Sequence, residues 1–438
     1  MNKTYFLDLF GCAKNQVDAE TLMAYLNDAG WVCVSSPAEA EITVINSCGF
    51  IETAKRESIN AVIEHKRNGK RVLLAGCLAE RYADELFESL SEADVVFGNK
   101  DLSKIVSAAD AALHSVRTQL VPLSSDTNIR YKSRPLLSPP GSAYVKIAEG
   151  CSNRCSFCSI PLIRGGLKSR QIEDVFDECQ TLLDRGVREL CLVGQDIAAF
   201  GVDYSGKQLL SVLLESLARL DGDFWVRLLY LHPDHFPPIL DFLKRNGGGR
   251  FLPYFDIPFQ HASKSLLQKM NRKGCEEDYM ALLDRIRDAL PDAVIRSTFL
   301  LGFPGETDVD VEILLDFQEK ARLDWAGCFT YSREENTPAD AMKPRVPKHA
   351  AARRKVLVEE KQTAITEKQL ERFVGREFSV LVEEKVDEGL YLGRMFAQAP
   401  EVDGAVVVHA DAAPRLGTFT RCKVTARAGF DLTAEKVR

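Results

Sequence analysis

The sequence predicts an α/β protein with an N-terminal α/β parallel-sheet domain, a central partial β/α barrel and a small C-terminal β-barrel. Two series of short apolar runs that alternate with amphipathic segments indicate the first two parts, because strands that alternate with helices form parallel sheets. A Pro- and Ser-rich stretch separates the two series, and short β-rich runs between Gly, Pro and Asp indicate the third part. The predicted domains are 1–118, 137–368 and 371–438.

The N-terminal domain is predicted from alternating strand and helix patterns. Its predicted strands are Tyr5–Phe10, Ile42–Asn46 and Val72–Ala75. Between them, Leu22 and Leu26 in one segment, and Ile59 and Ile63 in the next, have the spacing of an apolar helix face. Low periodicity from Val121 to Ser142 then predicts a linker.

The central domain repeats the alternation about six times. Its predicted strands are Tyr144–Ala148, Leu190–Val193, Trp225–Leu231, Tyr254–Pro258, Val294–Leu301 and Ala326–Tyr331. A closed barrel of this kind has eight units, so we expect an open, partial barrel. A charged segment without Gly or Pro, Ala350–Arg372, predicts a connecting helix, and the last domain has predicted strands at Phe378–Val382, Ala405–Val408 and Phe419–Val424.

Composition limits the classes of function. The 438 residues have a net charge of −7, which gives no overall attraction to nucleic acid. No apolar run approaches the roughly 18 residues that cross a bilayer, and Met1–Phe10 lacks the pattern of a signal peptide, so we expect a cytoplasmic protein without membrane contact. Twelve cysteines in such a protein favour metal binding or redox chemistry over disulfides.

Three cysteines, Cys151, Cys155 and Cys158, form a C-x3-C-x2-C pattern directly after a predicted strand. Three thiolates on one short loop can bind three irons of a four-iron cluster and leave the fourth iron open. An open iron can bind S-adenosylmethionine and supply the electron that cleaves it to a 5′-deoxyadenosyl radical. The alternative is three unrelated core or zinc-binding cysteines.

Three other cysteines, Cys12, Cys48 and Cys77, each follow the carboxyl end of a predicted strand. In a parallel sheet these ends lie along one edge, where ligands bind, so we expect the three side chains to converge. Each has a glycine neighbour that would let the backbone approach a bulky cofactor. These positions favour a second cluster, and the alternative is ordinary buried cysteines.

Polar residues after two barrel strands are candidate cofactor or substrate contacts. Gly194, Gln195 and Asp196 follow one strand, where they could form a tight turn or hydrogen-bond the cofactor's amino and ribose groups. His232 and His235 follow another. The proline between them opposes a helical metal pair, which leaves a polar substrate contact as the alternative.

The whole chain resembles the methylthiotransferase family of radical S-adenosylmethionine enzymes. The motifs that carry the resemblance are GCAKNQVDAE, NSCGFIETAKRESI and GCLAERY in the first domain, GCSNRCSFCSIPLIRGGLKSR and LVGQD in the second, and a TRAM-like tail ending EVDG…GFDL. Within the family, the first and fourth motifs are similar to the branch that modifies a ribosomal protein. They depart from the GCQMN and FCVVP that are usual in the tRNA-modifying branch.

The resemblance implies two [4Fe–4S] clusters and S-adenosylmethionine as cofactors. It places Cys12, Cys48 and Cys77 at the auxiliary cluster, which carries the sulfur, while the loop cluster starts the radical chemistry. The implied substrate is the β-carbon of an aspartate in small-subunit ribosomal protein S twelve, and the implied reductant is a flavodoxin or ferredoxin. Phe157, between two loop cysteines, would pack against the adenine or within the loop core.

Two other functions stay open at this point: methylthiolation of a tRNA adenosine, and a non-catalytic iron–sulfur protein. Residues 371–438 contain ten Lys and Arg against eleven Asp and Glu, a net charge of −1. Because phosphate contacts dominate RNA affinity, this balance favours a protein substrate over tRNA. The alternative is a local basic face formed by Arg415, Arg421, Lys423 and Arg427.

Overall fold

A computed structural model describes residues 3–122, 134–246 and 249–437. Residues 123–133 of the predicted linker lie outside this part of the chain. The chain forms two compact units. The first unit consists of Met1–Leu137, Glu149–Ser152 and Ser159–Arg170, and the second of Ser138–Ala148, Asn153–Cys158 and Gln171–Arg438. The three predicted domain ranges stay a prediction.

The first unit contains a parallel sheet of six strands, as predicted for this part of the chain. The strands are β1 (Thr4–Leu9), β2 (Val32–Cys33), β3 (Ile42–Ser47), β4 (Arg71–Gly76), β5 (Val95–Phe97) and β6 (Thr118–Leu120). Their spatial order is β2-β1-β3-β4-β5-β6. Strands β1, β3 and β4 are therefore direct neighbours, and the chain leaves all three at the same edge of the sheet.

Helices cover both faces of this sheet. They are α1 (Ala13–Asp28), α2 (Glu52–Arg67), α3 (Cys77–Arg81), α4 (Ala83–Ser89) and α5 (Ile105–Leu113), and α6 (Ile160–Arg164) also belongs to the unit. Leu22 and Leu26 of α1 lie in one apolar core, and Val62 of α2 lies in the other. The first turns of α1 differ from its later, apolar turns, because they contain the buried polar residues Asn15 and Asp18.

The second unit contains a sheet of six parallel strands. They are β7 (Ser142–Lys146), β10 (Glu189–Val193), β11 (Trp225–Leu228), β12 (Phe251–Asp256), β13 (Val294–Leu301) and β14 (Trp325–Thr330). Their order is β14-β13-β12-β11-β10-β7, without closure between β14 and β7, which confirms the predicted partial barrel. Two short strands elsewhere in the chain are β8 (Ala148–Glu149) and β9 (Lys168–Ser169).

The helices of the second unit alternate with its strands. They are α7 (Ile172–Asp184), α8 (Val202–Ser205), α9 (Leu210–Leu217), α10 (Pro237–Asn246), α11 (Lys264–Lys269), α12 (Glu276–Ala289), α13 (Asp308–Ala321) and α14 (Lys348–Leu370). A capping box between Thr307 and Asp310 starts α13. Helix α14 coincides with the charged connecting helix predicted from the sequence. Among the described residues, no helix combines the length and the apolar character needed to cross a bilayer.

A closed five-stranded barrel ends the second unit. Its strands are β15 (Glu377–Asp387), β16 (Leu390–Arg394), β17 (Val406–His409), β18 (Thr418–Ala428) and β19 (Asp431–Lys436). The sequence patterns did not predict β16 and β19. Gly393 interrupts the apolar pattern of β16 because a Cβ there would lie 2.4 Å from the Leu381 carbonyl oxygen. Arg394 pairs with Glu189 of β10, so a buried ion pair connects barrel and sheet.

Candidate cluster-binding sites

The three strand-end cysteines come together in the first unit. Cys12 lies between β1 and α1, Cys48 directly follows β3, and Cys77 begins α3 immediately after β4. Because β1, β3 and β4 are neighbours in a parallel sheet, the segments that follow them meet at one edge. Cys12 is exposed, Cys48 is half-buried and Cys77 is buried, so the three side chains extend from the surface inward.

The adjacent glycines allow the three segments to touch. A Cβ on Gly11 would lie 3.3 Å from the Cβ of Cys48, and one on Gly49 would lie 2.7 Å from the carbonyl oxygen of Cys77. Gly11 also has a φ of 109°, which disfavours other residues. These glycines therefore allow neighbouring protein segments to pack closely. From the sequence alone, the same glycines are expected to allow close approach of a cofactor.

Asn15, in the first turn of α1, connects all three segments. Its Nδ2 donates hydrogen bonds to the carbonyl oxygens of Phe10 and Ser47, each at 3.0 Å. Its Oδ1 accepts a hydrogen bond from the Cys77 thiol, with the sulfur at 3.2 Å. Because the buried amide both donates through its nitrogen and accepts through its oxygen, it fixes the three cysteine-bearing segments relative to one another.

Arg164 also reaches this cysteine group. Its Nη2 lies 3.0 Å from the Cys77 sulfur and 2.9 Å from an Asp18 carboxylate oxygen. Burial raises the pKa of Cys77 to about 12, although the Arg164 charge acts in the opposite direction. Burial likewise raises the pKa of Cys48. Burial therefore favours the neutral thiols of Cys48 and Cys77, whereas binding to a metal ion favours the thiolates.

The other three cysteines lie on one loop, within eight consecutive residues. The backbone N–H of Cys151 donates to the Gly165 carbonyl oxygen at 3.1 Å, and that of Cys158 donates to the Cys155 carbonyl oxygen at 3.1 Å. Gly150, just before the loop, has a φ of 67°, and a Cβ there would lie 2.2 Å from the Gly166 carbonyl oxygen. Only glycine fits this position.

A polar turn after α11 holds the middle of the loop. The backbone N–H of Ser156 donates to the Met270 carbonyl oxygen at 3.0 Å, and Asn271 Nδ2 donates to the Arg154 carbonyl oxygen at 2.7 Å. Arg272, which is buried, lies with its Nη1 3.7 Å from the Cys155 sulfur. The loop cysteines therefore also have a nearby guanidinium.

Asp196 is buried at the centre of a hydrogen-bonded group beside the loop. Its Oδ2 accepts from Asn153 Nδ2 at 2.8 Å and pairs with His235 Nδ1 at 2.6 Å, and its Oδ1 accepts from the His232 backbone at 3.3 Å. The hydrogen bond that His235 donates to Asp196 raises the pKa of His235, whereas burial lowers the pKa of His232 to about 3. The two predicted polar groups, VGQD and the histidine pair, thus form one network.

The remaining predicted contacts are less constrained. Gln195 and Phe157 are half-buried, and Gly194 is buried, with a Cβ there 3.1 Å from Ile197. Contact of these residues and of Asp196 with S-adenosylmethionine stays a prediction. In the described residues, no group of three or more His, Cys, Asp and Glu side chains is arranged to bind a metal ion. Three thiolates do fit a four-iron cluster chemically, since each binds a separate iron.

Comparisons with known proteins identify the family of the chain. Three family models match it: uncharacterized protein family UPF0004 over residues 4–98, the Radical SAM superfamily over 145–317 and the TRAM domain over 374–437. The "Ribosomal protein uS12 methylthiotransferase RimO" of Treponema denticola is 45% identical, with 98% of this chain and 100% of the relative covered. The chain belongs to the RimO family. Pelotomaculum thermopropionicum and Clostridioides difficile have members that are 40% and 37% identical over 98% of this chain and 98% of each relative.

Membership in the RimO family confirms the prediction of a radical S-adenosylmethionine methylthiotransferase. It also implies an iron–sulfur cluster and S-adenosylmethionine as cofactors. Among solved structures, the radical S-adenosylmethionine methyltransferase TsrM from Kitasatospora setae has a TM-score of 0.56 at 16% identity and covers 77% of this chain and 75% of its own. At that identity, the likeness supports the fold alone.

Sequence reasoning did not single out Asn15, Arg164 and Arg272, which contact the cysteines, or Asn271, which holds the loop through the Arg154 carbonyl oxygen. Asn15 and Arg164 lie within quoted motifs of the RimO family, but their spacing from the cysteines does not show where they point. Asn271 and Arg272 lie in the polar segment NRKGCEED, which also contains Cys275, whose thiol donates to Asp278 at 3.1 Å. A pattern of polar and apolar residues assigns polar side chains to the solvent-facing side. The burial of Asn15, Arg164 and Arg272 is therefore visible only in the structure.

Proposed function

We propose that the protein attaches a methylthio group to the β-carbon of an aspartate residue in ribosomal protein uS12, with two [4Fe–4S] clusters. The observation that carries the proposal is the convergence of the segments with Cys12, Cys48 and Cys77, in addition to the cysteines of the C-x3-C-x2-C loop. A simple radical enzyme needs only the loop. A second set of three thiols at a sheet edge supports a second cluster that can carry sulfur.

The chain's own residues would bind and orient these groups. Bound at the two sites, the clusters would supply the electron that cleaves S-adenosylmethionine to a 5′-deoxyadenosyl radical, which takes hydrogen from the aspartate β-carbon, and the sulfur that replaces it. A second S-adenosylmethionine would supply the methyl group. Cys151, Cys155 and Cys158 would each bind one iron of the first cluster. Ser156 and Asn271 fix the loop by hydrogen bonds of 3.0 and 2.7 Å, which keep that cluster in one position.

Charge supports a protein substrate. The net charge of −7 attracts a basic ribosomal protein and repels a polyanion. In the C-terminal barrel, Arg421 pairs with Glu377 at 3.3 Å and Arg427 pairs with Glu371 at 2.8 Å. Two of the four residues of the alternative basic face are thus partly neutralised, which disfavours tRNA as the substrate.

The test compares two substrates in parallel. Reduced, reconstituted enzyme is incubated with S-adenosylmethionine and either purified uS12 or unmodified tRNA, with a flavodoxin or ferredoxin system as the electron donor. We expect uS12 to gain the mass of one methylthio group on an aspartate, and tRNA to remain unchanged. Methylthiolated adenosine in the tRNA reaction, with unmodified uS12, would contradict the proposal. We place the reaction in the cytoplasm, where ribosomal proteins are found and thiols stay reduced.

A second assay separates the enzyme from an electron carrier. An electron carrier needs no open iron, so it would not cleave S-adenosylmethionine. We expect 5′-deoxyadenosine to form when the reduced protein is mixed with S-adenosylmethionine, even without uS12. A variant with Cys151, Cys155 and Cys158 all replaced by alanine is the control, because it should form none.

A further inference from the structure

Arg164 has an unusual position for a residue of the cysteine-loop motif. It ends helix α6, six residues along the chain from Cys158, yet its guanidinium lies within the first unit against Cys77. The distance from Nη2 to the Cys77 sulfur is 3.0 Å. This is a short contact for nitrogen and sulfur, and a charged N–H donor makes it a strong hydrogen bond.

The guanidinium is held by groups other than the cysteine. Nη1 donates to Glu149 Oε1 at 2.7 Å, while Nη2 donates to Asp18 Oδ2 at 2.9 Å and to Asn15 Oδ1 at 2.7 Å. Its side chain is 3% exposed, as is that of Asp18. Two carboxylates and one amide therefore fix the cation in place, and it does not depend on Cys77 for its position.

A fixed cation beside a ligating sulfur changes the energy of a cluster. Reduction adds negative charge, which a nearby guanidinium stabilises, and the effect is strengthened because Arg164 and Cys77 are both buried. Hydrogen bonds to the sulfurs and net charge are among the features that set cluster potentials. Asn99 Nδ2, 3.6 Å from the same sulfur, adds a weaker neutral donor.

We propose that Arg164 is a positioning residue that raises the reduction potential of the cluster bound by Cys12, Cys48 and Cys77. The inference rests on the proposed function, because it requires that second cluster. Through this contact the motif that carries the loop cysteines also adjusts the other cluster. Removal of Arg164 makes the strand-end cluster harder to reduce and leaves the loop cluster unchanged.

The test uses a full-length background in which Cys151, Cys155 and Cys158 are alanine, so that only the strand-end cluster remains. In this background, Arg164→Met removes the charge and the donor but keeps an apolar stem. We expect reduction to become about tenfold less favourable, a fall of about 59 mV for one electron. Arg164→Lys, which keeps the charge, should fall less. The measurement is a redox titration followed by electron paramagnetic resonance.

Controls separate this effect from a general loss of charge or fold. Lys66→Met removes a cation of the same unit that pairs with Asp94 at 2.7 Å, and its potential should equal that of the background. Arg164→Met/Asp18→Asn removes the buried Arg164–Asp18 pair together, which avoids an unpaired Asp18 carboxylate if the single variant does not fold. Its potential should lie between those of the background and of Arg164→Met, because loss of the Asp18 charge offsets part of the effect while the hydrogen bond to Cys77 is still lost.

The outcomes distinguish the inference from the proposed function. If the background variant binds no iron and sulfide, the second cluster does not exist and both proposals fall. If it binds a cluster whose potential is the same in every Arg164 variant, the inference is overturned and the proposed function stands. In the converse background, with Cys12, Cys48 and Cys77 replaced by alanine, Arg164→Met should leave the loop cluster's potential unchanged.

Discussion

The two cysteine groups are built in opposite ways. Cys151, Cys155 and Cys158 lie within eight residues, so chain connectivity alone keeps them close. Cys12, Cys48 and Cys77 lie on three segments and meet only because β1, β3 and β4 are neighbours in one sheet. The loop group is a local motif, whereas the strand-end group depends on the complete fold of the first unit.

Their surroundings differ accordingly. The loop is held by hydrogen bonds to the turn after α11, and its neighbouring guanidinium, that of Arg272, lies 3.7 Å from the Cys155 sulfur. The strand-end group is held by a buried side chain, Asn15, and its guanidinium lies 3.0 Å from Cys77. A local motif can tolerate distant substitutions, but a group assembled by the fold should be sensitive to any residue that joins its segments.

The largest expected effect comes from removing the loop group. Replacement of Cys151, Cys155 and Cys158 by alanine should abolish formation of 5′-deoxyadenosine and halve the iron from about eight atoms per chain, because one of two four-iron clusters is lost. Iron analysis after anaerobic reconstitution measures this. A triple variant that retains all of its iron would show that the loop binds no cluster.

Removing one member of the strand-end group should separate two activities. Cys48→Ala is expected to cleave S-adenosylmethionine but to yield no methylthiolated product, because radical initiation and sulfur delivery depend on different cysteines. Parallel assays of 5′-deoxyadenosine and product mass test this. If iron content and product both match the unmodified enzyme, Cys48 has only a packing role and the comparison fails.

Asn15→Ala tests the dependence of the strand-end group on the fold. It leaves the carbonyl oxygens of Phe10 and Ser47 without this donor, so we expect a loss on the order of 3 kcal/mol in the free energy of unfolding. The strand-end cluster should also bind less iron, while cleavage of S-adenosylmethionine persists. Asn60→Ala, at an exposed position on α2 of the same unit, is the matched control and should change neither quantity.

The smallest expected effect concerns pH and the network beside the loop. The pKa of His235 is raised, first by its hydrogen bond to Asp196, with Asp234 adding to this effect and Lys273 opposing it. The pair therefore stabilises the folded state below about pH 6.5, and this contribution disappears as the pH rises through the raised pKa. Denaturant unfolding at several pH values should show His235→Gln less stable by at most about 1 kcal/mol, only at low pH. An equal difference at high pH would contradict this.

The sequence predicted both parallel sheets and the C-terminal barrel but missed strands β2, β5, β6, β16 and β19, and it did not predict the contacts around the cysteines. Apolar patterns identified β1, β3 and β4 of the first sheet and the six strands of the second, because such patterns reflect burial directly, whereas the absence of Gly and Pro identified α14. The buried first turns of α1 were not foreseen, since Asn15 and Asp18 resemble solvent-facing residues in a pattern of polarity. Likewise Arg272 lies 117 positions from Cys155, and only the folded chain brings the two together.

The first unit is not a continuous piece of the chain, which limits how it can be transferred between genes. Besides Met1–Leu137, it includes Glu149–Ser152 and Ser159–Arg170, which lie within the cysteine-loop region of the sequence. A gene fragment that stops at Leu137 would lack Arg164 and leave the buried carboxylate of Asp18 without that partner. Recombination that transfers the unit should therefore keep the N-terminal region and the cysteine-loop region on one gene segment.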